Sequence, residues 1–186
     1  MNTAPRPGDQ ARVTVTVAVA PAEAFRVFTE DIDRWWRRGP RFRNLRGERG
    51  MLCIEPRHDG RVFESLDDGD AGAAPTVVEI GRVLAWEPAQ RLMFTWRASN
   101  FGPGESTEVE VLFEPAHAGD EKRGTRVTVT HRGFAALRPD HPVRHGRAVD
   151  AFIRSMGLWW GDLATALREY AAERAKPDAE PNAEPD

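Results

Sequence analysis

Three observations predict an α+β protein in which one antiparallel sheet of seven strands carries its helices on one face. Residues 12–20 alternate, with Val13, Val15, Val17 and Val19 against Thr14, Thr16 and Ala18, as a half-buried strand requires. From Leu45 to Phe134 six further strand-like stretches follow, separated by turns too short for the crossovers that parallel strands need. Last, Val149, Phe152, Ile153, Met156, Trp160, Leu163, Leu167 and Tyr170 recur every three or four residues, forming one apolar stripe on a helix. A single layer of strands needs an apolar cover, and this terminal helix supplies it.

After the first strand, Pro21 to Phe28 switches to helical spacing, with proline at the helix start and Phe25 and Phe28 facing inward. Ile32, Trp35 and Trp36 form a second short helix that Gly39 and Pro40 stop. Strands are then expected at 45–55, 60–65, 75–87, 90–98, 106–115 and 123–134. His58-Asp59-Gly60, Glu87-Pro88 and Ala118-Gly119-Asp120 punctuate them as turns. For the terminal helix, Asp140 is the expected N-cap and Pro142 a first-turn proline, so the helix is expected to start near residue 141, with 148–170 as its firm part. Running to 175 it would span roughly 45–50 Å, so Gly146 and Gly157 are candidate interruptions.

The chain of 186 residues, 40% hydrophobic with six Trp and nine Phe, suits one domain, expected over 11–175. Residues 1–10 and 176–186 are polar and rich in Pro, Ala and acids, a composition expected to give disordered tails. A lone Cys53 between Leu52 and Ile54 cannot form an internal disulfide and reads as core filler. The N-terminus has no charged-then-apolar leader and no segment approaches the twenty apolar residues of a membrane span, so a cytoplasmic protein without membrane contact is expected. Lys122 and Lys176 are the only lysines among 26 basic residues, and Ala, Gly and Pro abound, which suggests a GC-rich bacterial source. A net charge of −3 gives no global attraction to nucleic acid.

The stretch Gly81-Arg82-Val83-Leu84-Ala85-Trp86-Glu87-Pro88-Ala89-Gln90-Arg91-Leu92-Met93-Phe94-Thr95-Trp96, set in this element order, resembles the START-like (SRPBCC) helix-grip superfamily. Pro21 to Phe25, Thr107 to Pro115 leading into Gly124 to His131, and Trp160 to Leu167 match as well, and the nearest branch is that of the activators of heat-shock-protein-90 ATPase. The likeness spans residues 11–172. It implies a curved antiparallel sheet wrapped around the long C-terminal helix, with an apolar cavity between them. The matching motifs are structural signatures and identify no ligand.

Candidate site residues follow from facing. Phe94 and Trp96 alternate on one strand, and Val109, Val111 and Phe113 on the next, so both sets can face the helix residues Phe152, Met156, Trp160 and Leu163. Core packing alone explains each of these residues. Trp35 and Trp36 sit where the family places the cavity mouth. His131 lies in phase with Val127 and Val129, and its ring could exchange protons in a cavity, although a histidine satisfied by a hydrogen bond in core or rim is the simpler reading. His141 and His145 have a metal-sharing spacing but lack further ligands, and read as exposed helix-start residues. Glu55, Glu79, Arg82 and Arg97 read as solvent-facing. Six arginines between Arg34 and Arg46 interleave with Trp35, Trp36 and Phe42, a nucleic-acid-like pattern better read as a solvated rim that could select an anionic headgroup. No nucleotide-binding loop is present, since Gly102-Pro103-Gly104 lacks the residues that should follow.

These readings lead to a protein that holds a small hydrophobic or amphipathic molecule between sheet and helix, with no catalytic residue, metal or cofactor assigned. Catalysis of a cyclase or hydrolase type through His131 or a carboxylate is the alternative, and regulation of a heat-shock ATPase the second. Homodimer formation stays open.

Overall fold

The computed structural model describes residues 9–45, 50–67, 74–98, 100–118 and 121–176. The expected tails, apart from Asp9, Gln10 and Lys176, lie outside the described residues, as do Arg46, Gly119 and Asp120.

Alternation in the first strand becomes β1 (Gln10–Val17), with Ala11 and Val17 buried and Arg12, Thr14 and Thr16 exposed. The sheet edge starts inside the segment expected to be a tail: Gln10 pairs with Arg132, and the Asp9 carboxylate accepts the Ala135 N–H at 2.7 Å. Two short helices follow, α1 (Pro21–Thr29), which opens on Pro21 and buries Phe25, Val27 and Phe28, and the single turn α2 (Ile32–Trp35). The remaining strands are β2 (Met51–Ile54), β3 (Arg61–Leu66), β4 (Thr76–Glu87), β5 (Arg91–Trp96), β6 (Thr107–Ala118) and β7 (Glu121–Arg132). All pair antiparallel in the order β1-β7-β6-β5-β4-β3-β2, so the first strand closes onto the last.

Register shifts between Val62 and Phe63, between Val83 and Ala85, and between Pro115 and His117 bend the sheet, because an extra residue on one strand increases local twist. The last shift lets β6 run past Pro115, where the sequence suggested an end. At Gly81 a Cβ would fall 1.7 Å from the Thr95 carbonyl oxygen, so only glycine permits the close approach of β4 and β5. The strand expected from residue 45 begins at Met51. Asn44 and Leu45 turn their N–H groups to the Glu64 carboxylate rather than to a neighbouring strand.

The curled sheet grips α3 (Val149–Arg174), whose 26 residues extend about 39 Å. Its start differs from the expected one. Pro142–Arg144 form a separate 3₁₀ turn, and the cap is the His141 ring, whose Nδ1 accepts the Val143 N–H at 3.1 Å, in place of Asp140. Left-handed backbone at His145 (φ 49°) and Gly146 (φ 69°) then breaks the chain direction before the helix begins, whereas Gly157 lies within the helix without interrupting it. Trp160, Leu163, Leu167 and Ala171 are buried against the sheet.

Phe25 and Phe28 of α1 meet Phe113 edge-on at 5.2 and 5.8 Å, sealing one end of the sheet's concave face. Toward the other end of β6 the packing opens. A smaller cluster of Phe101, Phe134, Leu137 and Phe152 stands there beside the main core. Cys53, expected as core filler, is only half-buried at the edge strand β2, and burial raises its thiol pKa. Among the described residues no helix is long and apolar enough to cross a membrane.

Candidate functional site

A cavity of about 820 Å³ occupies the open end, between the sheet, the N-terminal half of α3 and the loops that flank them. Its back wall comes from three adjacent strands, because Trp96 pairs with Thr107 and Val109 pairs with His131 across the ladder. His131 is 1% exposed. Trp160 donates its indole N–H to His131 Nδ1 at 3.1 Å, so that nitrogen carries no proton. The proton sits on Nε2, which donates to Thr107 Oγ1 at 2.8 Å, and the threonine hydroxyl donates in turn to the Trp96 carbonyl at 3.1 Å. Burial pushes the His131 pKa down to about 3, which keeps the ring neutral.

A strap, residues 40–44, forms the second wall and is held from three sides. Glu64, 1% exposed, accepts the backbone N–H groups of Asn44 at 2.9 Å and Leu45 at 2.7 Å. Arg43, with its side chain 3% exposed, pairs with Asp33 at 2.9 Å and donates to the Trp36 carbonyl. Trp159 of α3 donates to the Arg41 carbonyl at 2.9 Å and stacks on Phe42, with ring centroids 5.8 Å apart. The helix contributes Phe152, Ser155, Met156, Leu158 and Trp159 as the third wall.

Phe101 and Phe134 close the far side, together with the turn that carries Val143, His145 and Arg147. Phe134 meets Phe152 edge-on at 5.2 Å. The loop before β6 is tied to that turn: His141 Nε2 lies 3.0 Å from Glu105 Oε2, and its ring packs on Phe101 at 4.6 Å. The Gly102 N–H, foremost, with Arg138 and His141, holds the Glu105 carboxyl below its usual pKa.

Of the twelve residues that the sequence nominated, Trp96, His131, Phe152 and Met156 line the cavity. Trp36 and Trp160 stand one layer behind, Trp36 stacked on Trp96 at 5.7 Å and Trp160 bonded to His131. Trp35, Phe94, Val109, Val111, Phe113 and Leu163 belong to the closed core. Strand alternation fixed which way these side chains face; what fills the space opposite them is decided by α1 and α3. Residues missed from sequence are Phe101, Phe134, Trp159 and Glu64, while Phe42 was read only as part of the arginine-rich rim and lines the cavity. Glu64 left a readable signal, an acid in phase with buried Val62, whereas the others lie in loops or beside the main helical stripe.

Several surface readings change. His141, expected to be exposed, is 1% exposed because it caps its turn and pairs with Glu105; His145 is exposed. The arginine run is not simply a solvated rim, since Arg43 is buried with Asp33. Arg41 pairs with Asp162 at 3.0 Å. Glu79 and Arg82 pair with each other at 2.7 Å, Glu55 binds Arg61, and Arg97 donates to the Phe101 carbonyl.

Residues 18–158 match the family model described as Activator of Hsp90 ATPase homolog 1-like protein. Among solved structures, protein NE0264 from Nitrosomonas europaea is 16% identical with a TM-score of 0.59, covering 92% of this chain and 99% of its own. The Aha1 dimer from Colwellia psychrerythraea is 10% identical with a TM-score of 0.56, covering 90% of this chain and 98% of its own. DynU16, a putative protein in the dynemicin biosynthetic locus, is 21% identical with a TM-score of 0.52, covering 87% of this chain and 46% of its own. A comparison with curated proteins finds no match. At these identities the structural likeness carries the fold.

Proposed function

Because the chain belongs to the Activator of Hsp90 ATPase homolog 1-like family, whose helix-grip fold here leaves one end of the sheet unfilled, we propose that it binds a small apolar or amphipathic molecule in that space. The observation that carries this reading is the back wall. Trp160, His131, Thr107 and the Trp96 carbonyl satisfy one another, so the polar groups of that chain are already paired and a guest meets mainly aromatic surface there. A volume near 820 Å³ falls within the range of roughly 300–1,000 Å³ typical of small-molecule sites.

The same network weighs against His131 as a proton-transfer group. Both ring nitrogens are engaged and the ring stays neutral well below working pH, whereas a general base needs a free nitrogen and a pKa near that pH. Titration with the neutral dye N-phenyl-1-naphthylamine tests the proposal. Saturable, one-to-one enhancement of its emission, with energy transfer from tryptophan, is the expected result, since Trp96 and Trp159 line the space. A flat titration of folded protein contradicts it.

A further inference from the structure

The charged side chains around the cavity are of one sign. Among the described residues that line it, the charged ones are Arg41, Arg43 and Arg147, and none is Asp or Glu. Two of these cations are already answered, Arg43 by Asp33 at 2.9 Å and Arg41 by Asp162 at 3.0 Å. The nearby Glu105 is engaged by Gly102, His141 and Arg138. Arg147 differs. Its guanidinium donates to the Ser155 hydroxyl at 2.6 Å, and among the described residues it pairs with no carboxylate.

Resting on the binding reading above, we infer that the cavity selects an anionic amphipathic molecule, with an aromatic body against Trp96, Phe152 and Trp159 and an oxyanion headgroup at Arg147. The Ser155 bond holds the guanidinium over the first turns of α3, and His145 sits on the same turn as a second donor. Guanidinium presents a planar fork that matches carboxylate, sulfonate or phosphate oxygens. With a net charge of −3 the protein does not draw anions from a distance, so the preference is local to this mouth.

Two dyes with the same rings separate this inference from the pocket itself: 1-anilinonaphthalene-8-sulfonate, which is anionic, and N-phenyl-1-naphthylamine, which is neutral. Wild-type protein should bind the sulfonate more tightly, and added salt should weaken that dye alone. Arg147→Gln should weaken the sulfonate roughly tenfold and leave the neutral dye within about twofold, since a charge-assisted hydrogen bond is worth about that ratio. If both dyes bind alike and Arg147→Gln moves neither, the headgroup inference falls while the pocket stands. Equal weakening of both dyes also overturns it, because Arg147 then acts only on the shape of the turn. Failure of the neutral dye to bind wild-type protein removes the pocket reading, and the inference with it; failure of the sulfonate alone removes only the inference.

Discussion

Trp160 on α3 and His131 on β7 share a buried hydrogen bond of 3.1 Å, and that bond fixes which nitrogen of the imidazole carries the proton. The consequence runs outward through Thr107 to the Trp96 carbonyl. The gripped helix is thereby joined by a polar chain to three strands of an otherwise apolar wall.

Stability should depend on pH through this histidine. Its folded pKa of about 3 lies below the ordinary 6.5, so the unfolded chain takes up a proton first and favours unfolding as pH falls. The contribution of His131 is complete above about pH 6.5 and is lost between there and pH 3, at about 1.4 kcal/mol per pH unit. Urea unfolding at pH 7 and pH 5 should show wild type losing more stability than His131→Gln. Equal losses would mean that the ring is not held neutral.

Trp160→Phe keeps most of the ring but removes the donor, leaving Nδ1 buried without a partner. A loss of about 1–3 kcal/mol is expected in chemical denaturation. A neutral outcome would show that the bond adds nothing to the packing of α3 on β7.

Glu64→Gln should loosen the strap. The buried carboxylate gathers the N–H groups of Asn44 and Leu45, and a carboxamide of the same size offers one oxygen in place of two. Amide hydrogen exchange at residues 44 and 45 should accelerate in the variant while β6 and β7 keep their protection. Unchanged exchange at those two amides would refute the clamp.

How far the sequence led is best seen along β6. Alternation correctly turned Val109, Val111 and Phe113 inward, yet it could not say that Phe25 and Phe28 of α1 fill the space above Phe113. Cavity and core share one apolar pattern, so the division between them depends on packing from distant segments. Phe101 and Phe134 escaped notice because loops have no period to read. The helix start was misplaced for a related reason: Asp140 and Pro142 form a plausible cap and first turn, but the left-handed His145–Gly146 step restarts the helix at Val149. Strand order and the long helix were legible because each rests on a repeating apolar pattern over many residues.

The central claim is that a real void lies between sheet and helix, and Met156→Trp tests it most directly. Met156 is half-buried and lines the cavity. Adding a large ring to a close-packed core costs about 1–3 kcal/mol, whereas placing it in an existing space avoids that strain. The account predicts that Met156→Trp melts within a few degrees of wild type, roughly the shift that a change below 1 kcal/mol produces, and loses most of its affinity for N-phenyl-1-naphthylamine. A sharp fall in melting temperature, with a wild-type protein that never binds the dye, would contradict the account and mean that α3 is sealed onto the sheet.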